Sequence, residues 1–218
     1  MPRPSRQLDQ ALLASGRELY PQLGAAALSV RALAEHAGVN AGMFHYHFES
    51  KEAFLRTLLQ QLYEEMFAEL SAEAMLPGAP LQRLRQVLVA VGRFLRSHGA
   101  VVGRIWADAG QGEPVAREFL QANAPRHAGL LMALFDEAER AATLVPMPPL
   151  QRMTFVMGAV AAPVLVAMRI AELGVAPKPL RPMIEPQVLS DAAILARADL
   201  ALAALRRPPR KERKDDHA

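Results

Sequence analysis

Helix punctuation is concentrated between Ser29 and Ser50, and it leaves that stretch little choice of fold. Ser29 precedes Val30-Arg31-Ala32-Leu33-Ala34-Glu35-His36-Ala37, where a serine hydroxyl can accept from the free amides of a first turn while Leu and Ala recur on one side. Gly38 follows at once, where a helix ending in a left-handed turn favours glycine. Asn40 can cap a second short helix through His47, and Ser50 a much longer one ending near Met75, ahead of Pro77-Gly78-Ala79-Pro80. Upstream, Leu8, Ala11, Leu12, Leu19 and Leu23 fall at helical spacing, with Gly24 as a stop.

Beyond Pro80 the pattern stays helical, with helices expected at about 81–97, 101–109, 114–143 (open to interruption at Pro125), 149–173 and 189–205. Pro146-Met147-Pro148-Pro149 reads as a rigid connector and 174–186, with four prolines, as an extended loop. No stretch alternates in the manner of a strand, and Ala and Leu dominate the apolar share. The expected fold is all-α. Residues 1–50 form a three-helix domain, 51–206 a larger helical domain, and 207–218 a charged tail expected to be disordered.

Two short helices joined by a glycine turn and packed on a preceding helix make a helix-turn-helix, whose second helix fits a major groove. That role needs small or polar residues on the groove side and apolar ones on the packing side. Asn40, Ala41, Gly42, Met43, His45 and Tyr46 are available outward, while Phe44 and Phe48 can anchor inward. The same texture also occurs in helical folds that never touch DNA. His45 and His47 do not suggest a metal site, because residues two apart on a helix point about 200° apart.

The run from Ala34 to Glu52, with Ala37-Gly38-Val39, the aromatic cluster Phe44-His45-Tyr46-His47-Phe48 and Lys51-Glu52, resembles the TetR family's helix-turn-helix, over roughly the first quarter of the chain. The resemblance implies phosphate contacts from Ser29, from Tyr46 or His47, and from Lys51. Arg31 sits where family members reach a guanine edge, and its fork suits O6 and N7. Met43 and His45 stand where the family more often has Thr or Ala and Tyr. A methionine there can meet a thymine methyl or act as a spacer.

The resemblance further implies a homodimer on a palindromic operator, released by a small, largely apolar effector. Gly158, Ala159, Ala161 and Ala162 let another helix approach closely, and Leu195, Leu200, Leu202 and Leu205 offer a second apolar helix. In the family the last two long helices pair with their mates; the alternative is that they only close the monomer's core. Phe94, Trp106, Phe119, Met132, Phe135 and Met157 supply adaptable apolar surface for a pocket, with Arg104, Asp108 and His127 as polar handles.

Other classes find little support. A chain without cysteine has no disulfide, thiolate metal site or cysteine nucleophile. Gly-x-Ser-x-Gly, P-loop and His-Glu-x-x-His motifs are absent, so no enzyme, cofactor or metal is expected. A net charge of +3 does not establish nucleic-acid binding. The start reads as no signal peptide, and the apolar run from Met153 to Met168, 16 residues long, falls short of a membrane span, so a cytoplasmic protein without membrane contact is expected.

Overall fold

The computed structural model describes residues 4–207. Helix α1 spans Pro4–Ala27 and bends at Gly24, whose φ of 70° and ψ of 174° leave the helical region. The expected stop is thus a kink, followed by one more turn closed by the Leu28 amide on the Gly24 carbonyl (3.1 Å). Helices α2 (Val30–Ala37), α3 (Ala41–His47) and α4 (Lys51–Met75) begin behind Ser29, Asn40 and Ser50, as their caps dictate.

The later chain departs from expectation in three places. The helices read at 81–97 and 101–109 are one, α5 (Pro80–Gly110). Gly99, which suggests a break, is helical because a neighbour needs the room: a Cβ there would lie 2.6 Å from Met168 Sδ. Helix α6 (Pro114–Arg140) runs through Pro125, which stands on the exposed side, where water can meet the carbonyl its ring leaves unpaired. After α7 (Pro149–Glu172), the second half of the expected loop at 174–186 is helical instead. There α8 (Arg181–Ile184) runs into a π-helical turn (Glu185–Leu189) ahead of α9 (Asp191–Leu205). Pro182 and Pro186 sit in the first positions of those turns, where no amide is required, so they start helix rather than prevent it. Among the described residues no strand forms; a single bridge joins Leu144 to Arg206. The charged tail lies, from residue 208, outside the described residues.

Two apolar cores share α4, α5 and α6. The first gathers Leu12, Tyr20, Leu28, Leu33 and Phe44 from α1–α3 with Phe54, Leu55 and Leu58 of α4, and adds Val101 and Ile105 of α5 and Val115 of α6. The second gathers Leu84, Leu88, Leu134, Phe135, Val156, Val160 and Ile194 from α5, α6, α7 and α9. The helix-turn-helix unit therefore packs on three helices of the larger domain. At 31 residues α5 is about 46 Å long and runs through both cores.

Polar clasps supplement this packing. On the water side of α4, Arg17 of α1 pairs with Glu65 (2.5 Å), Arg56 with Glu118 of α6 (2.8 Å) and Arg126 of α6 with Glu64 (2.6 Å). Asp191 receives both Arg93 and Arg96, joining α9 to α5. Arg152 is fully buried in α7; it donates to Glu139 (2.9 Å) and to the carbonyls of Val145 and Met147, which fixes the proline connector.

Close approach of α9 to α5 depends on Gly92, where a Cβ would fall 2.6 Å from Ile194 Cγ2, an atom on a stiff β-branched side chain. Gly92→Val is expected to lower unfolding free energy in urea melts by about 1–3 kcal/mol through overpacking. An unchanged midpoint would show that α9 yields freely.

Candidate nucleic-acid interface

At seven residues α3 is too short to persist alone, so its position must be imposed. Three devices do this. Ser29 Oγ accepts from Ala32 N (3.1 Å) at the start of α2, and Asn40 Oδ1 accepts from Gly42 N (2.8 Å) at the start of α3. Between them Gly38 takes φ 68°, which lets its own amide reach Glu35 O (3.2 Å) and the next amide reach Ala34 O (2.9 Å). Beneath, Phe44 is buried against Phe48 and Phe54 with ring centroids 5.5 and 5.4 Å away, and Phe48 meets Phe54 edge-on at 5.0 Å. His36 adds a tie from α2 to α1, with Nδ1 3.0 Å from the buried Ser15 Oγ.

With Phe44 inward, Ala41, Gly42, His45 and Tyr46 form a continuous exposed face, and Tyr46 is 75% exposed. Arg31, Ser29 and Asn40 are exposed beside it. Two of the expected DNA-contact residues are less exposed. Met43 is half-buried on the flank, because the direction of Phe44 sets that of its neighbour. His47 is also half-buried, and its Nε2 is enclosed without a hydrogen-bond partner, which leaves Tyr46 as the member of that pair that faces out. Lys51, at the first position of α4, donates to the Ala25 carbonyl (2.9 Å) and keeps two N–H groups free of that bond.

Residues 12–58 match the bacterial regulatory proteins of the tetR family. The match takes in most of α1, all of α2 and α3, and the start of α4, so the likeness to that family lies in the helix-turn-helix unit. Curated relatives include the HTH-type transcriptional repressor DhaR of Mycobacterium sp. (strain GP1), 30% identical over 97 residues, which are 43% of this chain and 48% of DhaR. KstR2 of Mycobacterium tuberculosis is 30% identical over 91 residues, 42% of this chain and 46% of its own. The chain spans about half the length of these curated relatives. Over nearly the whole chain, the solved structure of the ketosteroid transcriptional regulator KstR2 of Mycobacterium tuberculosis superposes with a TM-score of 0.69 at 18% identity, covering 92% of this chain and 95% of that one. The Bacillus subtilis regulator FadR in complex with stearoyl-CoA does so with a TM-score of 0.63 at 13% identity, covering 89% and 95%. At those identities the likeness is one of fold.

The larger domain does not gather the expected pocket residues into one site. Phe135 is buried in the second core and Phe119 borders the first, while Trp106 is 64% exposed on α5. Phe94 stacks on His98 at 4.4 Å, and Met132 and Met157 pack on the second core. Arg104 and Asp108 are corrected outright as pocket handles. Both face α1, Arg104 donating to Gln22 O (3.1 Å) and Asp108 accepting from Ala25 N (2.9 Å). His127 remains a candidate handle: its Nδ1 is buried without a partner beside Tyr63, and burial holds its pKa below the usual histidine range. An open concavity of about 650 Å³ runs along α4 over Arg56, Thr57, Gln60, Gln61, Glu64 and Glu65, none of them expected from the sequence.

The expected dimer residues divide by helix face. Gly158, Ala162 and Leu200 are exposed and Ala159 and Leu195 half-exposed, whereas Ala161, Leu202 and Leu205 are buried within the monomer and face away from any partner. Phe155 and Val166, one turn either side, extend the exposed stripe on α7. That helix is long and apolar enough by length and composition to cross a membrane, with a third of its most apolar stretch buried. Residues the sequence does not reveal are Gly24 and Ala25, whose backbone carries the contacts to Asp108 and Lys51.

No atom lies within 4 Å of a Cβ built on Gly38, so replacing it tests backbone conformation alone. Gly38→Ala should cost about 1–2 kcal/mol of stability by placing an L side chain in the left-handed region. A neutral result in denaturant titration would mean the turn relaxes out of that conformation.

Proposed function

We propose that this chain is a transcriptional repressor that binds a palindromic operator in duplex DNA as a homodimer and is released by a small, largely apolar ligand. The observation that carries the reading is the exposed face of α3, whose small and polar side chains stand clear of a buried aromatic anchor. A helix with such a face enters a major groove about 12 Å wide. Arg31 provides a guanidinium for a guanine edge, and Asn40, Ala41, Gly42, Met43 and His45 border the bases. Ser29, Tyr46 and Lys51 serve phosphates, and His47 supports Tyr46 from behind.

A single half-site offers too few contacts for useful specificity, and two related by a twofold axis supply them. The stripe of Phe155, Gly158, Ala159, Ala162 and Val166 on α7, with Leu200 on α9, supports pairing with a second copy. For the effector, the support is the apolar interior between α5, α6 and α7 and the unpartnered His127 near it. FadR, whose fold is shared, is seen with stearoyl-CoA, an amphiphile with a long apolar chain. The ligand must prefer the unbound conformer for release to follow. The protein acts in the cytoplasm, where its operator lies, without catalysis or a cofactor.

Selection of bound duplexes from a random pool tests this directly. It should return a palindrome with half-sites about one or two helical turns apart, and failure to enrich any duplex would overturn the reading. Binding should weaken steeply with salt through counterion release. Arg31→Ala should cost about 1–3 kcal/mol and relax preference at one position in each half-site. A uniform loss over all sequences would make Arg31 a phosphate contact.

A further inference from the structure

Asp108 is placed oddly for a carboxylate. It lies in the last three residues of α5, where the helix dipole is negative, and it is only 4% exposed. A polar side chain taken out of water needs hydrogen-bond partners to hold it there. One partner comes from α1 and the other from α5 itself. Asp108 Oδ2 accepts from Ala25 N at 2.9 Å, and Arg104, 3.6 Å from the carboxylate, donates to Gln22 O on the same turn. Gly24 makes the approach possible, since a Cβ there would stand 2.8 Å from Asp108 Oδ1 and 2.9 Å from Arg104 Nη1. Tyr20 is buried beside the same carboxylate, and burial, then its interaction with Asp108, push its pKa above the usual tyrosine range.

Ala25 is also the residue whose carbonyl receives Lys51 Nζ, at 2.9 Å. One residue thus takes a carboxylate on its amide and an ammonium on its carbonyl. We propose that Asp108, though remote from the face that meets DNA, is a positioning residue for DNA binding: it fixes the Ala25 backbone, which aims Lys51 at a phosphate. The inference rests on the DNA reading above. Lys51 ends a flexible four-carbon stem, and with one N–H held by a fixed carbonyl its remaining donors point along a defined path. Without Asp108 the turn at 24–28 loses its anchor on α5 and Lys51 loses its tether. The same contact gives α5, a helix of the larger domain, a mechanical hold on the ammonium.

The test is the salt dependence of binding to a duplex recovered from the random pool by the wild-type chain, with folding checked by circular dichroism. Asp108→Ala should lower the slope of log K against log salt by about 0.9 per half-site, the loss of one phosphate contact. Lys51→Ala should lower it equally, and the double variant no further, so that the two residues are coupled in the cycle. A purely structural Asp108 would reduce stability and leave the slope of the folded protein unchanged, which would overturn the proposal, as would additive losses. If Asp108→Ala does not fold, Gly24→Ala keeps the carboxylate but pushes the turn from α5, and the same slope loss is expected; a wild-type slope there also overturns it. A wild-type chain with no salt-dependent duplex binding would remove the DNA reading itself, and this proposal with it.

Discussion

The cluster of Phe44, Phe48 and Phe54 is the contact on which the rest of the interface depends. It joins the shortest helix of the reading unit to the start of a 25-residue one, so the weakest element borrows the order of a strong one. Helical propensity contributes little here, since α3 holds a glycine, two aromatic residues and two histidines among its seven residues. What keeps Ala41, Gly42, His45 and Tyr46 on one side is that Phe44 has only one apolar place to go.

The second organising element is α5, which enters both cores and so leaves the reading unit without a core of its own. Its glycines serve contact rather than bending. Gly92 admits Ile194 and Gly99 admits Met168, so α7 and α9 are drawn close along one side while α1 seats against the far end. A change in the packing of α5 is felt by α1 without an intervening linker.

Legibility in the sequence followed the range of the interactions. The caps at Ser29, Asn40 and Ser50 and the turn at Gly38 are local, satisfied within a few residues, and could be read directly with the helices they bound. Gly99 could not, because its reason is a methionine 69 positions later. The prolines at 182 and 186 look like breakers until their places in the first turn are known. Arg104 and Asp108 were legible as polar residues on an apolar helix but not as partners of α1, since the atoms they bind are backbone atoms, which carry no sequence mark. For the same reason the tether from Lys51 to Ala25 left no trace. Among the dimer candidates, spacing did not reveal which side faces out: Ala161 and Ala162 are adjacent and about 100° apart on the helix, yet the first is buried and the second exposed.

The ion pairs along α4 have a mechanical consequence. Arg17–Glu65, Arg56–Glu118 and Arg126–Glu64 are partly exposed, so water and salt screen them and each holds its two helices only weakly. Their arginines are long and jointed, so they can follow an axial slip of the helix by an ångström or so while keeping hold of their carboxylates. The buried leucines on the opposite side, Leu55, Leu58, Leu59 and Leu62, fix which face of the helix turns inward. The helix is thus seated by packing on its dry face and by long, adjustable clasps on its wet one.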